Sequence, residues 1–198
     1  MRIAQQPRRA LHGGWQCKEQ SKGREMVAEQ DWYAIRAFHN KASVICALAD
    51  KDGKEWYTPI REVEEVRDGL LHIRRERLMP SLIFIRAERG YLDKLKQLSG
   101  DNIYLYCEPG TNSPLAIPHA EMEMFRFVAR TAVREAECID EKLAQGERVR
   151  ITGGIFAGAE GYIRRIHGTK RFVVSVEGVA AIATTYIPRQ YIEKIAEE

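Results

Sequence analysis

The chain has 198 residues, a net charge of +3, 44% hydrophobic and 30% charged residues, which fits an ordinary globular protein of one or two domains. No apolar run approaches the ~20 residues that span a bilayer, and the N-terminus lacks the apolar core of a secretory signal, so neither a membrane protein nor an exported one is expected.

Residues 1–30 lack sustained periodicity and carry six basic against three acidic residues. A flexible extension and a nucleic-acid-binding arm both fit that composition. Met26 precedes the first regular element, so the natural start is expected there, and the intact mass of the native protein tests this.

Trp32–Ala37 alternates as a strand. Asn40 is placed to cap a helix carrying Ala42, Ile45 and Ala49, which Asp52-Gly53 stops. Glu55–Thr58 reads as a second strand, ended by Pro59. Glu62–Val66 and Leu70–Arg74 flank Arg67-Asp68-Gly69, a hairpin signal. The charge on both flanks predicts a protruding, solvated hairpin. Ser81–Arg86, with Leu82-Ile83-Phe84-Ile85 apolar on both faces, predicts a central strand covered on both sides. Gly90–Leu98 is helical, with Tyr91, Leu95 and Leu98 on one face. Ile103–Cys107 and Pro114–Ile117 read as strands. Pro118 opens a helix over His119–Arg130, whose apolar face holds Met122, Phe125, Phe127 and Ala129. This order over residues 31–130 predicts an α+β domain, helices on an antiparallel sheet. Residues 131–145, with two basic and four acidic residues, read as a linker.

The run Glu147–Ile163 opens residues 146–198. Val149 and Ile151 alternate with arginines, four glycines follow, and Tyr162–Ile166 alternates again. A phosphate loop would need a Lys and an opening helix, and a dinucleotide loop would need Gly-x-Gly-x-x-Gly. The spacing here is Gly154-x-x-x-Gly158-x-x-Gly161, followed by a strand. The glycines are therefore read as turn formers and Phe156 as a core residue. Phe172–Glu177, Ala181–Ile187 and Tyr191–Ile195 complete a small all-β barrel.

Cysteines 17, 46, 107 and 138 form no Cys-x-x-Cys, and histidines 12, 39, 72, 119 and 167 show no metal or nucleophile spacing. No cofactor, no metal and no catalytic residue is expected. An enzyme would need an acid, base or nucleophile set converging in a pocket, and none is visible locally. The separated thiols fit a cytoplasmic protein.

Val149-x-Ile151-x-x-Gly154-x-Phe156-x-Gly158-x-x-Gly161-x-Ile163 resembles the KOW motif of NusG-type transcription factors and some ribosomal proteins, which implies an SH3-like KOW barrel. Trp32-Tyr33, Tyr57-Thr58-Pro59 and the stretch Arg75–Ile85 resemble elements of the NGN domain of that family, and the order NGN, linker, KOW is the family's layout. The resemblance covers about 165 residues, all but the N-terminal extension.

The resemblance implies a monomeric transcription elongation or antitermination factor. Its NGN domain would bind the clamp helices of RNA polymerase through an apolar patch at Tyr33, Leu78, Met79, Pro80 and Leu82, and suppress pausing. Its KOW loop Gly178, Val179, Ala180 and Ala181 would contact ribosomal protein S-ten or the termination factor Rho. Rho binding is expected to be weak, because Val179 stands where the family has an apolar-aromatic tip. Ser81-Leu82 replaces the family's Gly-Tyr, which fits specialised paralogues serving capsule or other long operons better than the housekeeping member. Arg74, Arg75 and Arg77 fit a contact to DNA or nascent RNA, and fit a solvated hairpin face equally well. The alternative is a ribosome-associated or RNA-binding KOW protein. A near-neutral first domain and a barrel at only +2, eight basic against six acidic residues, argue against it.

Overall fold

A computed structural model describes residues 30–139, 146–184 and 186–195. The expected start at Met26 and the basic N-terminal segment lie outside them. Four strands form the first sheet: β1 (Asp31–Ala37), β2 (Glu55–Tyr57), β5 (Leu82–Ala87) and β6 (Ile103–Leu105), in the antiparallel order β2-β5-β1-β6. The apolar strand β5 lies inside the sheet, and Leu82, Ile83, Phe84 and Ile85 are all buried. Helices α1 (Ala42–Lys51) and α2 (Arg89–Ser99) share a core with Tyr33, Ile35, Ile83 and Ile85. The opposite strand face, with Trp32, Ala34, Leu82 and Phe84, shares a core with α3 (His119–Thr131). Alternation along a strand sends neighbours to opposite faces, and helices on both sides bury both sets.

Several local expectations need correcting. Asn40 does not cap α1: the N-cap is Lys41, without a side-chain bond. Asn40 instead takes φ +57 after His39 at φ +50, the left-handed geometry that Asn tolerates in turns. In α2 the buried set is Tyr91, Leu92 and Leu95, while Leu98 in the last turn is exposed. In α3, Phe127 is exposed because two residues along a helix is about half a turn from Phe125. Pro114–Ile117 forms no strand, only bridges from Pro114 to Cys107 and from Ile117 to Trp32.

The Asp68-Gly69 turn has both residues at positive φ and joins β3 (Ile60–Arg67) to β4 (Leu70–Arg77) as a separate two-stranded sheet. The second domain contains β8 (Glu147–Ile151), β9 (Glu160–Ile166), β10 (Thr169–Val176), β11 (Ala180–Ala183) and β12 (Ile192–Lys194), ordered β12-β8-β9-β10-β11. The segment read as a linker extends this sheet: β7 (Glu137–Ile139) pairs with β11, Ile139 opposite Ala181. Arg171 fixes it further with a 2.5 Å ion pair to Glu137. The linker therefore does not separate the domains along its whole length. Helix α3 packs against β10, and one core runs from Phe84 and Phe125 to Phe156 and Phe172.

Candidate functional site

The Met79–Leu82 turn follows the hairpin and feeds β5. Leu78 donates its N–H to the Pro59 carbonyl at 2.8 Å, and Leu82 donates to Met79 at 3.2 Å. Pro80 occupies the second turn position, where its fixed φ suits the geometry. This construction divides the apolar residues of the sequence. Met79 and Leu82 enter the core on the α3 side, and Tyr33 enters the core on the α1–α2 side. All three are at most 7% exposed, so an exposed patch made of all five residues does not exist in this packing. The reason is that both faces of the sheet are covered. Leu78, half-buried, and Pro80, exposed, remain at the surface and line a cleft of about 520 Å³ with Arg77, Asn40 and Ser43.

The hairpin arginines do not converge. Register places Arg75 and Arg77 on one face and Arg74 on the other. Arg74 bonds Glu76 at 2.8 Å, and Arg75 bonds Glu62 at 3.0 Å. The bond from Arg75 is the main cause that holds the Glu62 carboxyl below its usual range. Arg77 turns inward instead, 3.8 Å from the thiol of Cys46. Burial pushes that thiol up, against the pull of the Arg77 charge. The exposed ion pairs on the hairpin are individually weak and exchangeable. The tip is also more apolar than its charge suggested, with Val66, Leu70, Leu71 and Ile73 all more than half exposed.

The loop after β10 faces the first domain. Glu177 donates its N–H to Glu121 Oε1 at 2.7 Å. Gly178 has φ +71 and sits beside Leu115. Val179 packs against the shared core, and Ala180 and Ala181 are buried in β11. The four residues expected to meet a partner are therefore held against, or inside, this chain. Burial pushes the Glu121 carboxyl up, partly offset by the N–H from Glu177.

The glycine run shapes the connection from β8 to β9. Gly154 and Gly158 have φ +79 and +87, and Gly158 donates to Ile151 at 2.8 Å. Phe156 is buried with its ring centroid 6.2 Å from that of Phe172. Gly161 lies in β9, where a Cβ would stand 2.4 Å from the Val173 carbonyl oxygen.

Sequence reading missed a stack on α3. The Arg126 guanidinium lies 5.3 Å from the Trp32 ring and 5.4 Å from the Tyr57 ring, and bonds Glu55 and Glu123. Burial raises the Tyr57 hydroxyl to about 12 despite the nearby charges of Arg130 and Arg126. Three elements, β1, β2 and α3, supply these groups, so no local pattern could reveal them. Among the described residues, no group of three or more His, Cys, Asp or Glu could hold a metal, and no helix is long and apolar enough to cross a membrane.

Comparison with known proteins bears on the first domain most directly. Residues 30–126 match the family model described as "Transcription termination factor nusG". The chain is 29% identical over 145 residues to the transcription termination/antitermination protein NusG of Borreliella burgdorferi, an alignment covering 69% of this chain and 78% of that protein.

Proposed function

We propose that this chain, whose residues 30–126 match a NusG family model, is a non-enzymatic transcription elongation and antitermination factor of that family. It binds RNA polymerase in the cytoplasm through the first domain and suppresses pausing or termination. The observation that carries this reading is the family match over residues 30–126, which spans β1 through most of α3. The part of the expected contact that reaches the surface is the half-buried Leu78 and the exposed Pro80 at the root of the hairpin, with Arg77 beside them. The clamp helices of the polymerase are the expected docking site.

The second domain is the proposed recruiter of a further partner, ribosomal protein S-ten or, more weakly, Rho, through the loop Gly178–Ala181. That contact requires the loop to leave Glu121 and Leu115 first. The Ser81-Leu82 departure supports a specialised paralogue over a housekeeping one.

Leu82→Asp would bury a charge in the core and report on folding rather than docking. Pro80→Glu is the better probe, because the residue is exposed. Wild-type chain is expected to bind the host polymerase and shorten pauses in vitro, and Pro80→Glu to weaken binding roughly tenfold, ~1.4 kcal/mol. A wild-type chain that neither binds polymerase nor changes pausing or termination would end this reading.

A further inference from the structure

The second domain carries a groove that neither the polymerase contact nor the partner loop uses. Its volume is about 370 Å³, and Lys170, Tyr186, Arg189, Lys194 and one carboxylate, Glu147, stand exposed around a floor that includes Ile163 and the buried Ile187. Its cations come from three separate pieces of chain. Lys170 comes from β10, Arg189 from the short 3-10 turn Arg189–Tyr191, and Lys194 from β12. Arg165 of β9 lies directly opposite Lys170 in the strand register and so joins the same face.

The second domain is only +2 as a whole, but its cations are unevenly placed: the groove lining holds Lys170, Arg189 and Lys194 against Glu147 alone. Lys194 pairs with Glu147 across β12 and β8. Among the described residues, Arg165, Lys170 and Arg189 have no carboxylate within ion-pair distance. Like charges directly opposite on paired strands are destabilising, and an anionic occupant would offset that cost. Tyr186, 53% exposed, offers a flat ring beside the cations. Backbone-tracking cations next to a free aromatic face and an apolar floor are the elements of a single-strand binding platform, in which phosphates meet the charges and a base meets the ring. An acidic peptide would satisfy the cations but would leave the ring without a flat partner.

We propose that this groove binds single-stranded nucleic acid, with phosphates held by Arg165, Lys170 and Arg189 and a base stacked on Tyr186. Three phosphate contacts predict a slope of log affinity against log salt of about −2, or roughly a 20-fold loss between about 50 and 200 mM salt. The test titrates the full chain, without polymerase, into fluorescein-labelled single-stranded RNA and DNA of about a dozen nucleotides, read by anisotropy. Its outcome is thus independent of the polymerase reading.

The double variant Lys170→Gln with Arg189→Gln is expected to bring the slope to about −0.7. Tyr186→Ala is expected to weaken binding roughly 5- to 150-fold, and Tyr186→Phe to retain it. All the substituted residues are exposed, and circular dichroism verifies that the variants fold. Tighter binding of RNA than of DNA adds a ribose hydroxyl contact to the site, and equal binding assigns it to phosphate and base alone. Absence of binding at the lowest salt, binding that these variants leave unchanged, or capture of a labelled acidic peptide with no capture of either oligonucleotide would each overturn the proposal.

Discussion

Gly161→Ala and Gly158→Ala separate two reasons for a glycine within one motif. At Gly161 a Cβ would stand 2.4 Å from the Val173 carbonyl oxygen and 2.8 Å from Phe172 Cε2. Val173 and Phe172 belong to the strand paired with β9 and both are fully buried, so neither has room to withdraw. Reaching ordinary contact needs about 1 Å of movement between paired strands. Overpacking of this kind costs about 1–3 kcal/mol, and a backbone obstacle places it at the upper end. Loss of glycine's freedom in the unfolded chain returns about 0.4–1 kcal/mol, leaving a net loss of about 2 kcal/mol. At Gly158 no atom lies within 4 Å of the added carbon, but φ is +87. An alanine held in left-handed geometry costs about 1–2 kcal/mol, and the same entropic return brings the net to about 1 kcal/mol or less. At roughly 2–4 °C per kcal/mol for a chain of this size, thermal unfolding followed by circular dichroism should show a drop of about 4–8 °C for Gly161→Ala, and about half that or less for Gly158→Ala. Amide exchange should place the loss in the second domain. The reverse order, or a Gly161→Ala protein melting with wild type, would refute the packing account of the motif.

Two further perturbations probe the domain contact and the α3 stack. The Glu121 carboxyl has its folded-state pKa raised from the ordinary 4.5, burial being the main cause. The folded protein therefore binds the extra proton, and stability falls as pH rises from about 4.5 through the raised value. Urea midpoints measured from about pH 4.5 to 6.5 should show this slope in wild type and less of it in Glu121→Gln, which keeps an acceptor for the Glu177 N–H; equal slopes would remove Glu121 as the cause. Arg126→Met should cost about 1–2 kcal/mol in urea, from two cation–π contacts of about 0.5–1 kcal/mol each, and a loss below a few tenths would mean that the stack is only apolar packing.

What the sequence revealed was local. The Asp68-Gly69 turn, the β5 apolar run and the glycine entrance to β9 each depend on residues within a few positions of one another. Strand β7 was invisible because three residues make no periodic signal, and the strand exists only through its pairing with β11. The fate of Tyr33 and Leu82 was invisible for another reason. Their apolar character fits a buried face and a docking face equally well, and only the placement of α1, α2 and α3 on both sides of the sheet decides between them. The groove beside Tyr186 is assembled from residues between 147 and 194, a span over which no motif could be read.

The contact between the domains constrains any partner of either one. Helix α3 contributes Met122, Phe125 and Val128 to a core that also contains Val174, Val176 and Ala180 from the second domain. A partner that takes the loop at 178–181 must break the 2.7 Å bond from Glu177 to Glu121 and uncover Val179. Exposure of that apolar surface costs about 25 cal/mol for each Å², a charge against the affinity of any ligand that binds the opened form. The groove at Lys170, Tyr186 and Arg189 carries no such cost, since its rim is already exposed. Occupancy of the groove and opening of the loop are therefore separable. Glu121→Gln should change the energetics of the domain contact without altering oligonucleotide affinity, and Tyr186→Ala should do the reverse.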